Sequence, residues 1–247
     1  MKDRWALITG SSRGLGLEIA LKLAQSGFRM VITGRNHEKL SRAIEKLNSV
    51  SGAVHLSVCM DLIEDESPAK LREILADSGV SPSVIVNNLG GGVPGDRRNI
   101  PLDILRASMR LNLEVGVEIN NLFYDDLKKN QGIVVHIGST ASLHYDAPPG
   151  YVISKSAINA YVKNAARSFA KDHICIWAIL PGILMHDGSY VDNLKLSDPD
   201  RYEKFLSQSI FGRFTRSSEA ADFIANNIIY PASMLNGSLV QFDGGKE

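Results

Sequence analysis

The sequence Thr9-Gly10-Ser11-Ser12-Arg13-Gly14-Leu15-Gly16 joins a short apolar run to an amphipathic segment. The apolar run, residues 5–8, has the length of a buried strand, and residues 15–25 carry apolar side chains at helical spacing. A helix that begins directly after a glycine-rich turn presents free N–H groups and its positive dipole end to that turn. We therefore predict that this segment binds a pyrophosphate, and that its glycines let the ligand approach the backbone closely.

Strand-like and helix-like segments alternate along the rest of the chain. Apolar runs predict strands at 5–8, 29–33, 54–59, 83–86, 133–137, 174–179 and 238–242. Helical spacing predicts helices at 15–25, 37–48, 68–77, 151–171 and 218–229, and one long helix or two helices end to end at 102–129. This alternation predicts one α/β domain over residues 1–247, a Rossmann-type, doubly wound, parallel seven-stranded sheet with helices on both faces. Ligands of such sheets bind beyond the carboxyl ends of the strands.

Composition narrows the class of partner. The chain has 27 basic and 27 acidic residues and a formal net charge of zero, which favours neither nucleic acid nor an anionic membrane. It contains no apolar run of membrane-spanning length and enters a strand directly after residues 1–4, so we expect a cytoplasmic protein without a signal peptide. The two cysteines, Cys59 and Cys175, both lie in apolar runs of the sequence. We therefore predict that their thiols are buried and that they form no disulfide.

Tyr151 and Lys155 carry the most specific chemistry in the sequence. Four positions apart on a helix, they share a face, and an ammonium near a phenol lowers a pKa that is normally near 10. Such a phenol can give a proton to the alkoxide that forms when hydride reaches a carbonyl. The same spacing recurs at Tyr124 and Lys128, late in a polar helix. Since only Tyr151 follows a strand and the sequence Gly138-Ser139-Thr140, we predict acid–base chemistry at Tyr151 and a surface or interface position for Tyr124.

Other motifs also follow predicted strands. They are Met60-Asp61-Leu62, Asn87-Asn88-Leu89-Gly90, Leu180-Pro181-Gly182-Ile183-Leu184 and the terminal stretch 237–245, while Asn112 lies within helix 102–129. Together with the glycine-rich turn and the Tyr-x3-Lys pair, they resemble the short-chain dehydrogenase/reductase family, nearest to its 3-oxoacyl-carrier-protein reductases. The resemblance covers nearly the whole chain. It implies an oxidoreductase that moves hydride between a nicotinamide and a carbonyl or alcohol.

The resemblance also implies roles for individual residues. The implied catalytic residues are Asn112, Ser139, Tyr151 and Lys155. The implied cofactor-binding residues are Gly10, Ser12, Arg13, Gly14, Leu15, Gly16, Arg35, Asp61, Leu62, Asn88, Gly90, Tyr151, Lys155, Pro181, Gly182 and Leu184. No metal site is predicted.

Three positions depart from the family pattern. Leu89 stands where the family usually has alanine. His186 stands where a threonine commonly contacts the cofactor, and it is either an isolated loop histidine or a contact to cofactor phosphate or substrate. The interval between Ser139 and Tyr151 is one residue shorter than usual, which leaves Ser142 as a weaker alternative for the substrate-orienting serine.

The end of the second strand points to NADP rather than NAD. An NAD-selective site usually has an acid there for the ribose 2′-hydroxyl, but no acid occurs between Glu18 and Glu38. Arg35 follows the strand instead, and Arg13 lies in the first turn. Because a guanidinium can donate two hydrogen bonds to one phosphate, we predict that this pair binds the 2′-phosphate.

The sequence leaves the substrate open. Residues 183–216, which include a helix start at Ser197-Asp198-Pro199, are predicted to form a lid over it. Arg97 and Arg98 either meet an anionic substrate or are solvated charges. We keep three hypotheses: a reductase of small or acyl carbonyls, a dehydrogenase or reductase of sugars or polyols, and a non-catalytic NADP-binding sensor or scaffold. The family resemblance also implies a homo-oligomer, a tetramer or a dimer, formed through helices 102–129 and 151–171.

Overall fold

The computed structural model describes residues 4–230 and 233–245, so both ends of the predicted domain and residues 231–232 lie outside the described part. The strands are β1 (Trp5–Ile8), β2 (Arg29–Gly34), β3 (Leu56–Cys59), β4 (Pro82–Asn87), β5 (Ile133–Ile137), β6 (Cys175–Pro181), β7 (Leu184–Met185), β8 (Thr215–Arg216) and β9 (Leu239–Phe242). The helices are α1 (Gly14–Gln25), α2 (His37–Val50), α3 (Ser67–Asp77), α4 (Leu102–Met109), α5 (Val115–Leu122), α6 (Tyr124–Asn130), α7 (Ala141–His144), α8 (Pro149–Phe169), α9 (Tyr190–Ser197), α10 (Pro199–Leu206) and α11 (Ser217–Ile229).

Seven of these strands form one parallel sheet in the order β3-β2-β1-β4-β5-β6-β9. The chain winds outward from β1 to β3, returns, and continues from β4 on the other side of β1. The strand order therefore reverses between β1 and β4, and a crevice opens there at the carboxyl ends of the strands. The predicted Rossmann-type fold is confirmed.

Alternate residues of the strands pack into two apolar layers. In β1, Ala6 and Ile8 face a layer that includes side chains of α1, α2 and α11. Trp5 and Leu7 face the opposite layer, which includes side chains of α3, α5, α6 and α8. Covering both faces of a parallel sheet in this way is the main stabilising contribution to such a fold. The parallel arrangement brings the carboxyl ends of the strands to one edge of the sheet, where a site can be built.

The segment 102–129, predicted as one long helix or two end to end, is interrupted in two places. Between α4 and α5, residues Arg110–Glu114 form a π-helical turn, and Asn112 in that turn donates a hydrogen bond from Nδ2 to the carbonyl of Ser108 at 3.0 Å. A second break lies at Phe123, whose backbone leaves helical geometry between α5 and α6. Apolar periodicity cannot detect either break, because the apolar face continues through both of them.

Residues 183–216 fold as a separate excursion from the sheet. Its ends meet where β7 pairs with β8, and α9 and α10 lie between them. The predicted helix start is confirmed, since the Asp198 side chain accepts from the Arg201 amide at 3.1 Å and Pro199 is in the first turn of α10. The helix α9 was not predicted.

The prediction for the cysteines is partly wrong. Cys59 is exposed and Cys175 is half-buried. Cys59 ends β3, which is an edge strand with only Val58 buried, so an apolar sequence there does not imply burial. Burial raises the pKa of the Cys175 thiol to about 11, which keeps it unreactive at neutral pH.

Within residues 4–230 and 233–245, no helix combines the length and apolarity that a membrane crossing needs.

Candidate active site

The glycine-rich turn lies at the carboxyl end of β1, as predicted. Gly14 begins α1 with a φ of +57°, a left-handed conformation that favours glycine. The preceding residue, Arg13, makes no side-chain hydrogen bond to the first turn of the helix. The amide donors of that turn are therefore directed at the crevice, where an anionic group can accept them.

Part of the excursion lies across this turn. A methyl group placed on Gly14 would approach Nε2 of His186 to 2.8 Å, so the imidazole lies directly against the glycine. Arg13 donates from Nη1 to the carbonyl of Gly188 at 3.2 Å. His186, which replaces the threonine of the family pattern, thus faces the same space as the free amides of α1. These two contacts hold the beginning of the excursion against the glycine-rich turn.

The side chains after β2 and β3 form the outer end of the crevice. Arg35 is 73% exposed and its Nη1 lies 3.2 Å from Oδ2 of Asp61. An ion pair this exposed contributes little, so the guanidinium can turn to another anion. Leu62 is buried in the core at 3% exposure, which leaves only its backbone to line this end. Ser12 packs against Gly34 of β2. A methyl group placed on Gly34 would lie 3.1 Å from the Ser12 hydroxyl oxygen.

Asn88 ties the ends of β1 and β4 together. Its Nδ2 donates to the carbonyls of Thr9 and Gly10, each at 2.9 Å, and its amide donates to the Thr9 hydroxyl at 3.0 Å. Leu89 donates to the same hydroxyl at 2.9 Å. A methyl group on Gly16 would lie 2.6 Å from Asn88 Nδ2, so the third glycine of the turn is needed for this contact. Thr9 was missed in the sequence, because a threonine at a strand end has no distinctive spacing.

Tyr151, Ser139 and Lys155 meet at the carboxyl end of β5. The Ser139 side chain lies beside the Tyr151 hydroxyl and lowers the phenol pKa, but burial has the larger effect and raises it, so the net lowering predicted from Lys155 is wrong. Lys155 is 3% exposed, donates from Nζ to the carbonyl of Ile137 at 2.8 Å, and lies 5.7 Å from the centroid of the Tyr151 ring. Burial lowers the Lys155 pKa to about 8. The group combines a proton donor, an orienting hydroxyl and a nearby cation.

Asn112 connects this group to the loop after β4. Its Oδ1 accepts from the Gly91 amide at 2.9 Å, and its Nδ2 donates to the Gly91 carbonyl at 3.0 Å. A methyl group on Gly90 would lie 2.8 Å from Asn112 Oδ1 and 3.1 Å from Lys155 Nζ. Gly90 therefore leaves room beside the lysine for a ligand to pass, and a larger residue would fill that room.

The structure distinguishes the alternatives that the sequence left open. Ser142 is buried and donates its hydroxyl proton to the Ser139 carbonyl at 2.6 Å, so Ser139 and not Ser142 meets Tyr151. Tyr124 donates to Asp172 at 2.6 Å, and that bond, with burial, raises its pKa to about 12. Lys128 also binds Asp172, at 2.8 Å, so the second Tyr-x3-Lys pair is tied to a carboxylate.

A buried polar network beneath Lys155 was also missed in the sequence. His136 in β5 is fully buried, and burial, together with the charge of Lys155, lowers its pKa to about 3. Its Nε2 accepts from the side-chain amides of Asn120 at 2.9 Å and Asn87 at 3.2 Å, and Asn120 also donates to the Tyr161 hydroxyl at 3.1 Å. A neutral histidine held in this way supports the end of β5 without adding charge.

The turn after β6 closes the site on its far side. The carbonyl of Pro181 accepts from the Thr140 amide at 3.0 Å, and the Gly182 amide donates to Phe242 in β9 at 3.1 Å. Leu184 lies in β7, where the excursion begins. The predicted site residues therefore lie along one crevice, from Arg35 at the outer end to Tyr151 at the inner end. Arg97 and Arg98 are exposed.

Known proteins share this sequence pattern over the whole chain. The glucose 1-dehydrogenase of Gluconobacter oxydans is 29% identical over 99% of this chain and 93% of its own length. A 3-oxoacyl-(acyl-carrier-protein) reductase of Aquifex aeolicus is 26% identical over 99% of this chain and 98% of its own.

Solved structures share the fold. An L-sorbose reductase of Gluconobacter frateurii, complexed with NADPH and L-sorbose, superposes with a TM-score of 0.90 at 24% identity and covers 99% of this chain and 96% of its own. An NAD⁺-bound xylitol dehydrogenase superposes with a TM-score of 0.87 at 21% identity and covers 98% of each chain. The model of the short chain dehydrogenase family matches residues 4–190, from the first strand through the glycine-rich turn, the tyrosine–lysine pair and the turn after β6. The chain is therefore an oxidoreductase of the short-chain dehydrogenase/reductase family.

Proposed function

We propose that this protein is an NADP-dependent oxidoreductase that reduces a carbonyl, or oxidises the corresponding alcohol, with Tyr151 as general acid–base. The observation that carries the proposal is the contact of the Tyr151 hydroxyl with Ser139, next to the buried ammonium of Lys155. A sensor or scaffold that only binds the cofactor has no need of a proton donor in this position. The non-catalytic hypothesis therefore has the weaker support.

The chain provides the proton transfer, and a bound nicotinamide provides or accepts the hydride. Because burial keeps the Tyr151 phenol protonated at neutral pH, it can donate its proton to the substrate oxygen during reduction. Ser139 donates a hydrogen bond to the same oxygen and orients it. The Lys155 ammonium stabilises the phenolate that remains, and Asn112 holds the loop that passes beside it. In the oxidative direction the phenolate takes the proton from the alcohol.

The residues along the crevice fit a dinucleotide. The amides at the start of α1 can hold the pyrophosphate, and Gly90 leaves the space beside Lys155 that a nicotinamide ribose needs. Arg35, exposed beside Asp61 at the outer end, and Arg13, in the first turn, are proposed to bind a 2′-phosphate. Among the solved structures of the same fold, the L-sorbose reductase is complexed with NADPH and the xylitol dehydrogenase with NAD⁺. The proposed preference for NADP therefore rests on these two arginines.

The arginine after β2 gives a direct test of the cofactor preference. We expect Arg35→Ala to raise the dissociation constant of NADPH about tenfold, because a charge-assisted hydrogen bond to phosphate is worth roughly 1.5–3 kcal/mol. NADH binding is expected to change less than about twofold, since NADH has no 2′-phosphate. Titration of protein fluorescence with each cofactor measures both constants.

Arg42→Ala is the matched control for that experiment. Arg42 is an equally exposed arginine of α2 that pairs with Glu38 on its own helix. Equal weakening of NADPH and NADH by Arg35→Ala, or an equal effect of Arg42→Ala, would contradict the assignment of the 2′-phosphate site.

Two substrate classes remain within the proposal. The first is a small or acyl carbonyl, and the second is a sugar or polyol, which the similarity to glucose 1-dehydrogenase favours. Residues 183–216 are proposed to act as the lid that selects between them. A panel of 3-oxoacyl thioesters, keto-sugars and diketones, assayed by NADPH consumption, tests the proposal and separates the two classes. Tight NADPH binding without turnover of any panel member would favour the non-catalytic hypothesis.

The assembly is also a proposal. A homo-oligomer, dimeric or tetrameric, would form through the surfaces of α4, α5 and α8, where Leu102 and Ile153 are exposed apolar residues.

A further inference from the structure

The loop between β4 and α4 crosses the beginning of α8, the helix that carries Tyr151. There the side chain of Asp96 accepts two backbone hydrogen bonds, one on each carboxylate oxygen. Oδ1 accepts from the Gly150 amide at 3.0 Å, and Oδ2 accepts from the Tyr151 amide at 2.9 Å. No feature of the sequence indicated this contact, because 54 and 55 positions separate the partners.

The start of α8 needs an acceptor from elsewhere in the chain. The first amides of a helix have no partner within the helix, and a polar side chain at the preceding residue usually accepts one of them. In α8 that preceding residue is Pro148, which makes no such bond. Asp96 fills the role across the fold, and its negative charge lies at the positive end of the helix dipole.

The neighbouring glycine shows how closely the loop and the helix fit. A methyl group on Gly150 would lie 2.7 Å from Ile100 Cδ1 and 3.0 Å from Asp96 Oδ2. Only a residue without a side chain lets the carboxylate and the loop approach the helix this closely. The contact therefore depends on both partners: the loop provides the Asp96 carboxylate, and the helix provides the space at Gly150.

We propose that Asp96 is a positioning residue for Tyr151, an inference that rests on the function proposed above. Asp96 binds the amide of the tyrosine itself. The other end of the same loop is held by Asn112, through its two hydrogen bonds to Gly91. Between these two anchors the loop includes Gly92 and Gly95, while Pro94 and a hydrogen bond from the Asp96 amide to the Val93 carbonyl at 3.2 Å shape the turn that presents the carboxylate.

The two anchors fix the distance between the phenol and the loop that borders the cofactor space. Gly90, which begins this loop, lies against Lys155, while Asp96, near its end, lies against the backbone of Tyr151. A shift of the first turn of α8 away from the loop would move the phenol relative to both. Displacements of about 1 Å at a reacting group cost up to roughly a hundredfold in rate.

The test compares Asp96→Asn and Asp96→Ala with the wild-type protein. Asparagine keeps one acceptor oxygen and alanine keeps none, so the two variants form a graded pair. Four quantities are measured: kcat with the best panel substrate, KM, the dissociation constant of NADPH, and amide hydrogen exchange of residues 148–155 by mass spectrometry. Asp172→Asn is the matched control, because Asp172 is also a carboxylate with two partners, Tyr124 and Lys128, which lie outside the site.

We expect kcat to fall about tenfold in Asp96→Asn and roughly a hundredfold in Asp96→Ala. The dissociation constant of NADPH is expected to stay within about twofold of wild type, since Asp96 does not border the phosphate turn. Exchange at residues 148–155 should accelerate in both variants and not in Asp172→Asn. A purely structural role would lower stability without this separation of kcat from cofactor binding.

Faster exchange at residues 148–155 with an unchanged kcat would overturn the proposal, because Asp96 would then only cap the helix. Unchanged exchange would overturn it as well, because the contact would not restrain the helix. Failure of the proposed function looks different: the wild-type protein itself would then turn over no panel substrate, and no reaction would exist for Asp96 to serve.

Discussion

Tyr151→Phe is expected to lower turnover by about a factor of 10³ while NADPH binding stays within roughly twofold of wild type. The substitution removes one oxygen atom from a half-buried ring. The alkoxide formed during reduction then has no proton donor, and Ser139 can hydrogen-bond it but not neutralise it. Steady-state kinetics with the best panel substrate and a fluorescence titration with NADPH measure the two effects.

Tyr124→Phe is the matched control, since it removes the same atom from a Tyr-x3-Lys pair outside the site. Its expected turnover is that of the wild type. It should instead destabilise the fold by about 1 kcal/mol, because it removes the hydrogen bond to Asp172. Substantial turnover by Tyr151→Phe would contradict the role of Tyr151 as the general acid.

Lys155→Met is expected to abolish most turnover and to remove a rise of the unfolding free energy with pH that the wild-type protein shows. Burial lowers the Lys155 pKa from 10.5 to about 8, so the folded protein disfavours the charged form that the unfolded chain retains. Between these two pKa values the unfolded state binds more protons, and this group makes the stability of the wild-type protein rise with pH. The unfolding free energy of the wild-type protein is expected to rise by about 2 kcal/mol between pH 7 and pH 9.5 because of this group.

Methionine has nearly the same shape but no charge, so the variant lacks this rise. Urea unfolding of both proteins at pH 7 and pH 9.5 measures it, with the upper limit chosen to lie below the titration of Tyr151. The same slope in both proteins would show that the buried amine does not titrate near pH 8. Turnover near the wild-type level in Lys155→Met would remove the ammonium from the proposed mechanism.

The sequence predicted the frame of the molecule well because its signals are local. The glycine-rich turn, the apolar strands and the Tyr-x3-Lys pair each lie within a short stretch, and the strand–helix alternation implied which edge of the sheet collects them. The seven strands and the meeting of Ser139, Tyr151 and Lys155 were therefore predictable.

The features that the sequence did not predict depend on residues far apart in the chain. Asp96 and Tyr151 are 55 positions apart, and Thr9 binds amides about 80 positions away. Hydrophobic periodicity reports only on neighbours within one helix or strand, so it does not indicate such pairs. The π-helical turn at Arg110–Glu114 needed the structure for a different reason: such a turn changes the hydrogen bonding but leaves the apolar face in place, so periodicity predicts only one helix or two end to end there.

The departures from the family pattern also needed the structure. His186 was an isolated loop histidine in the sequence, and only the fold brings its imidazole against Gly14. The short interval before Tyr151 left Ser142 as an alternative, and the hydrogen bonds of Ser142 to Ser139 and Asn159 show that it is otherwise occupied.

Transfer of deuterium from the nicotinamide to the product reports directly whether this protein moves hydride to a carbonyl. The wild-type protein is incubated with the best panel carbonyl and NADPH carrying deuterium at both hydrogens of nicotinamide C4, and the alcohol product is analysed by mass spectrometry. Our account predicts an alcohol with one deuterium on the former carbonyl carbon, formed by the wild-type protein and almost none by Tyr151→Phe. Tight binding of NADPH without any labelled alcohol would contradict it.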